Sequence, residues 1–275
     1  MKVFVYGTLL KGMSRFGVLA DSRFMGHGFI RGLLYDLGDY PAIRQGDSLV
    51  YGELYEISRE KRHELDRIEG YFSQDEPHSL YLRNEAEVTL LNDGSREKAS
   101  AYFYNQALED CQKIVCGDYR RYKLEALSDR QWYIAYGSNM SSERLYERIG
   151  KAYEVKTGQL EGYKLRFNKI ADSGGTYANI AYIGSGCQCP FAAYAISQEQ
   201  LYPLDRYEGE PSHYVRMGLP FSDMTGKLSH IGHVYIANPN RLTQNENPSH
   251  EYLRHIRIGY EEHGFDTSSL PKPEI

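Results

Sequence analysis

The chain has 275 residues, 41% hydrophobic and 25% charged, with a formal net charge of −5. That length accommodates two ordinary domains, and the acidic balance lacks the basic field that nucleic-acid binding needs, so no nucleic-acid partner is expected. No apolar run approaches the roughly 18 residues of a membrane span, and the N-terminus has no signal-like apolar segment, so a cytoplasmic protein with no membrane partner is expected. Tyrosine is the compositional outlier, at 25 residues against 10 Phe and 1 Trp. Its ring is apolar but its hydroxyl needs a partner when buried, which suits polar pockets lined by phenols. Cys111, Cys116, Cys187 and Cys189 fit neither a dense disulfide framework nor paired C-x-x-C zinc ligands, and read as reduced thiols.

In chain order, apolar runs bounded by Gly, Asp and Asn predict strands over 3–6, 29–36, 49–57, 86–91 and 99–104. Asn92-Asp93-Gly94 is a hairpin signal between the last two. Ser58 is a helix N-cap for a short helix over 58–65. The segment 106–130 has helical composition, interrupted by Gly117, and reads as a connector. A second series follows: a strand from Trp132, a helix over 141–149, strands near 159–168, 176–183 and 191–197, and a helix near 198–204. Strands near 214–219 and 230–237 and a final amphipathic helix over 249–260 complete it. Many strands with few helices predict an α+β fold, with domains at 1–105 and 131–275 each forming a small mixed β-barrel with flanking helices.

Two signatures recur in the same order in both halves. Val5-Tyr6-Gly7-Thr8-Leu9 matches Ala135-Tyr136-Gly137-Ser138-Asn139-Met140, and Leu65-Asp66-Arg67-Ile68-Glu69-Gly70 matches Leu204-Asp205-Arg206-Tyr207-Glu208-Gly209. A turn at the end of an apolar strand presents successive N–H groups, an arrangement suited to a carboxylate. The glycine in it is expected to adopt a conformation closed to other residues and to admit a ligand close to the backbone. Glu69 and Glu208 each follow a short helix and precede a glycine, which makes them candidates for proton transfer. Asp66 and Asp205 read as helix-end or turn residues.

These residues carry a family resemblance. The chain is similar to the γ-glutamylcyclotransferase superfamily, the first half to its γ-glutamylamine branch through Tyr6-Gly7-Thr8-Leu9, Tyr40-Pro41-Ala42 and Tyr51-Gly52-Glu53-Leu54-Tyr55. The second half resembles the γ-glutamylcyclotransferase branch through Tyr136-Gly137-Ser138-Asn139-Met140 and Ile258-Gly259-Tyr260-Glu261-Glu262. The resemblance implies that the Tyr-Gly loops bind the α-amino acid end of a γ-glutamyl group and that Glu69 and Glu208 are general acid/bases. It implies further that Tyr214 and Tyr235 help enclose the substrate, with Tyr102 the first-half counterpart of Tyr235. The implied reaction forms 5-oxoproline and releases an amine from a small γ-glutamyl substrate, without metal or organic cofactor. Tyr214 lies six residues after Glu208, but Tyr81 lies twelve after Glu69, so the first half departs from the pattern there. The alternative reading is a non-catalytic module that binds γ-glutamyl or amino-acid ligands. The sequence sets no oligomeric state. His230-Ile231-Gly232-His233 matches a nucleotide-binding motif by chance, because it lies late in the chain with no partner motif.

Overall fold

The computed structural model describes residues 1–172, 174–224 and 228–271, which divide into two compact units, Met1–Tyr122 and Lys123–Ile275. In the first unit β1 (Lys2–Val5), β2 (Arg23–Asp36), β3 (Pro41–Glu56), α1 (Arg59–Ile68), β4 (Tyr81–Leu90), β5 (Arg96–Tyr104) and β6 (Gln112–Lys113) precede α2 (Tyr119–Leu127). The strand order is β3-β1-β5-β4-β2, and β2 pairs back onto β3, closing a five-stranded barrel with β6 added at β2. Closure removes the exposed strand edges on which sheets aggregate. The β1–β5 contact is parallel and the others are antiparallel, so the barrel is mixed. Phe4, Leu54, Val50, Ile30, Val88 and Ala101 fill its interior, each at most 1% exposed.

The second unit repeats this plan with β7 (Arg130–Ala135), α3 (Ser142–Ile149), β8 (Glu154–Glu161), β9 (Tyr163–Ile170), β10 (Thr176–Tyr182), β11 (Gln188–Ser197) and α4 (Gln198–Glu208). It ends with β12 (Tyr214–Ser222), β13 (Leu228–Ala237) and α5 (His250–Glu262). Its main sheet runs β12-β13-β7-β11-β8, and β9 and β10 form a separate hairpin. The same seam exists in both units. A Cβ on Gly28 would sit 2.7 Å from the Thr89 carbonyl oxygen, and one on Gly158 would sit 2.6 Å from that of Ser222. Only glycine lets the two walls approach so closely. The fold is therefore α+β with tandem barrel-type units.

Several elements differ from expectation. Within residues 106–130 the helix is confined to α2, which follows the two-residue strand β6 and straddles the boundary between the units. Gly117 fixes the turn, since its carbonyl accepts from Tyr51 N–H and a Cβ there would meet the Leu49 carbonyl at 2.1 Å. The strand expected over 159–168 is two strands, because Gly162 turns the chain at φ +83°. His233 of the His-Ile-Gly-His stretch is fully buried beside Arg216 and Gln131, a core position on β13. All four cysteines are free. Among the described residues, no helix is long and apolar enough to cross a membrane.

Candidate active site

Both candidate carboxylates stand where a helix is made to stop. α1 starts at Ser58, whose Oγ accepts from Lys61 N–H, and ends at Glu69. α4 starts at Ser197 with a reciprocal cap from Gln200 and ends at Glu208. The next residues, Gly70 and Gly209, take φ of +60° and +64°, the left-handed turn that glycine enters without strain. Each Glu is thus fixed at a helix C-terminus, where the unpaired carbonyls disfavour negative charge.

In the first unit the carboxylate faces a cavity of about 260 Å³. One wall is the loop Tyr6-Gly7-Thr8-Leu9; Arg15, Tyr40, Pro41, Tyr81 and Tyr102 also line it. The phenols are held by hydrogen bonds: Tyr6 Oη donates to the Tyr102 carbonyl at 2.6 Å, and Tyr81 Oη to the Pro41 carbonyl at 2.9 Å. Tyr102 Oη donates to Asp66 at 2.8 Å, and Arg83 pairs with the same carboxylate. Burial pushes the Glu69 carboxyl up to about 7, opposed by the charge of Arg15. The group is therefore poised to change protonation near neutral pH.

The second unit rebuilds the same frame. Tyr136 Oη donates to the Tyr235 carbonyl, Tyr214 Oη to the Ala178 carbonyl at 2.7 Å, and Tyr235 Oη to Asp205 at 2.6 Å. Arg216 closes on Asp205 with Nε 2.7 Å from Oδ1. Here the carboxylate has an added partner: Asn139 Nδ2 donates to Glu208 Oε1 at 2.8 Å, and Arg148 donates to Asn139 Oδ1 at 2.9 Å. Burial pushes the Glu208 carboxyl up, and Arg148 and the Asn139 hydrogen bond pull it back. Space around Glu208 is divided into an inner chamber of about 40 Å³ and an outer one of about 450 Å³. Tyr136, Gly137, Ser138 and Asn139 line the inner chamber with Tyr214, Tyr235 and Tyr252. Ser138, Glu208, Tyr214 and Tyr252 border both chambers.

A family model described as γ-glutamyl cyclotransferase, AIG2-like, matches the chain twice, over residues 3–121 and 133–254. The chain belongs to this family. It is 30% identical over 128 residues to a γ-L-glutamyl-butirosin B γ-glutamyl cyclotransferase of Niallia circulans, covering 46% of this chain and 80% of that protein. It is 39% identical over 69 residues to a putative γ-glutamylcyclotransferase of Vibrio cholerae, covering 24% of this chain and 60% of that one. Among solved structures, that of YkqA from Bacillus subtilis shares the fold over 95% of this chain and 91% of its own, with a TM-score of 0.73 at 24% identity.

Within this tandem γ-glutamyl cyclotransferase-family chain, most of the expected residues gather at the two cavities, with a few placed otherwise. Met140 is fully buried behind its loop, where its carbonyl accepts from Tyr194 Oη at 2.7 Å, and it lines neither chamber. Gly7 and Gly137 are not in the left-handed region; what requires glycine is space. A Cβ on Gly7 would lie 2.5 Å from Pro41 Cγ, and one on Gly137 would lie 3.0 Å from Ala178 Cβ. Asp66 and Asp205 are more than turn residues, since each ties a tyrosine and an arginine to the end of its helix. Tyr81 reaches the position of Tyr214 despite the longer loop, because a 3-10 turn over Glu76–His78 takes up the extra residues. Arg15, Tyr133, Arg144, Arg148, Lys169 and Tyr252 also line the cavities, and the two recurring signatures do not include them.

Proposed function

We propose that the protein is a cyclotransferase that converts γ-glutamyl amines or γ-glutamyl amino acids into 5-oxoproline and a free amine, with Glu69 and Glu208 as the general acid/bases. The observation that carries this reading is the repeated pairing of a half-buried, helix-terminal Glu with a Tyr-Gly-(Thr/Ser) loop across a phenol-lined cavity. The loop N–H groups would hold the substrate α-carboxylate. Its α-amine nitrogen would then attack the γ-carbonyl carbon, forming the ring C–N bond. The Glu carboxylate takes the proton lost by that nitrogen and returns it to the departing amine as the original amide C–N bond breaks, so the carboxylate is regenerated. The reaction is intramolecular, and the enclosing tyrosines favour the folded substrate conformer it requires. Burial holds all of these phenols protonated, so they serve as rigid donors and walls.

The test is 5-oxoproline release from γ-glutamyl amines, γ-glutamyl amino acids and glutathione by wild type, Glu69→Gln, Glu208→Gln and the double variant. Loss of general acid–base help should lower turnover at each altered site by about 10²–10⁴-fold. Undiminished turnover by the double variant would remove the assignment. Saturable binding without release in wild type would instead establish a binding protein.

A further inference from the structure

The second site holds its carboxylate by a device that the first lacks. Asn139 is 4% exposed, and every polar atom of its amide is engaged. Nδ2 donates to Glu208 Oε1 at 2.8 Å and to Tyr133 Oη at 2.9 Å, while Oδ1 accepts from Arg148 Nη1 at 2.9 Å. An amide side chain has two orientations that exchange its donor and acceptor ends, and a guanidinium offers donors only, so Arg148 admits one of them. Turned over, Oδ1 would face the Glu208 oxygen and the NH2 group would face the guanidinium. That sets acceptor against acceptor unless the carboxyl is protonated and donates. The direction of the amide therefore decides which form of Glu208 is favoured, and Arg148 decides the direction.

Arg148 is itself held in place. α3 begins where the loop ends, with Ser141 as its N-cap, and buries Leu145 and Ile149, which leaves Arg144 and Arg148 one turn apart on another face. The Arg148 guanidinium lies over the exposed ring of Tyr207, 5.0 Å from its centroid, and its Nη1 is 3.8 Å from Glu208 Oε1. The other charged groups around Glu208 are Arg144, Lys169, Arg206, His213 and Asp172, which line the outer chamber. Tyr133, Tyr136, Tyr214, Tyr235 and Tyr252 close the inner one, and burial keeps them protonated. Among the described residues, Asn139 alone donates a hydrogen bond to the Glu208 carboxylate. In the first unit Leu9 stands at the place of Asn139, and nine residues on, where the second unit has Arg148, Val18 lies in the 3-10 turn Phe16–Leu19. Glu69 has neither the amide nor a guanidinium behind it, and only the charge of Arg15 opposes its burial.

We propose that Arg148 is a positioning residue of the second site: by holding Asn139 Oδ1 it turns the amide NH2 onto Glu208 and presents that carboxylate as the base. This rests on the cyclotransferase reading, and the test separates the two. In a Glu69→Gln background, which leaves the second site, kcat/KM for 5-oxoproline release from γ-glutamylalanine is measured at about pH 6 and about pH 8.5. Ionisation of the substrate is common to all variants and cancels between them. Arg148→Met, which fills similar space but donates nothing, should lower the value at the acid pH about tenfold more than at the alkaline pH. Arg148→Lys, which still donates, should keep most of the parent's ratio. Asn139→Leu, which copies the first unit, should match Arg148→Met, and combining the two should change the ratio by less than about threefold further. A ratio unmoved by Arg148→Met overturns the proposal. An equal effect of Arg148→Met in the Asn139→Leu background also overturns it, because the guanidinium would then act on Glu208 by charge alone. Infrared difference spectra between each protein and its Glu208→Gln counterpart follow the protonated Glu208 carboxyl without turnover. That band should grow in at higher pH in Arg148→Met than in the parent, and growth at the same pH in both overturns the positioning role. A shifted band with no release from any γ-glutamyl compound supports the positioning role and overturns the cyclotransferase reading.

Discussion

Replacing Glu69 by Gln should make the protein more stable as it makes the first site inert, and the gain should depend on pH. The carboxyl rises from an ordinary 4.5 to about 7 because folding buries it at the end of α1. Between those values the folded chain holds more protons than the unfolded chain, so stability falls as pH rises through that window. The two pKa values set the magnitude: wild type is penalised by about 3 kcal/mol at pH 8 and by less than about 1 kcal/mol at pH 5. Gln fills nearly the same volume without a charge, so it removes the penalty where the penalty exists. Because the chain has two compact units, global melting does not isolate the effect. Amide hydrogen exchange of peptides from β1, β3 and β5, followed by mass spectrometry at both pH values, reads the first unit directly. The expected result is slower exchange in the variant at pH 8 and near parity at pH 5. Equal protection of the two proteins at pH 8, or a less protected variant, would refute the claim that Glu69 is held in the fold against its preferred ionisation.

Three further outcomes follow from the geometry. With the second site silenced by Glu208→Gln, kcat/KM at the first site should show an acid limb centred near 7, because the base is active only as the carboxylate; a profile flat from pH 5.5 to 7 would contradict it. Gly7→Ala drives a Cβ to 2.5 Å from Pro41 Cγ, so first-site kcat/KM should fall by about tenfold or more, and Gly137→Ala, at 3.0 Å from Ala178 Cβ, should cost the second site less. Glu53 and Arg120 form an ion pair at 2.6 Å with side chains 1% and 0% exposed. Glu53→Gln should destabilise the first unit by about 3–5 kcal/mol by stranding the guanidinium, and adding Arg120→Met should restore most of it, as measured by hydrogen exchange.

What the sequence made legible was whatever repeats locally. Each Tyr-Gly loop ends a strand, and each Glu-Gly pair ends a helix, so a few adjacent residues carry both the geometry and its signal. The first half of β2 was missed because Gly26 and Gly28 lower its strand character, and Gly28 is there for the barrel seam, a contact with β4 more than sixty residues away. The stretch before α2 looked helical by composition, while the constraint on it is Gly117 packed against Leu49. The cations of the outer chamber were hidden for the same reason. Arg144, Lys169 and Arg206 sit on α3, β9 and α4, and each alone is an ordinary charged residue until the fold gathers them.

Helix α2 has a consequence for the chain's history and for anyone who would divide it. Its first turn supplies Arg120 to Glu53 in the first unit, and its later part supplies Glu125 to Arg216 in the second, at 2.8 Å. Cutting after residue 105 strips the first half of its buried counter-ion, and cutting before residue 130 takes an acidic partner from the second. The join has become a component of both halves: a cut between residues 122 and 123 leaves each ion pair whole, but it severs the helix itself.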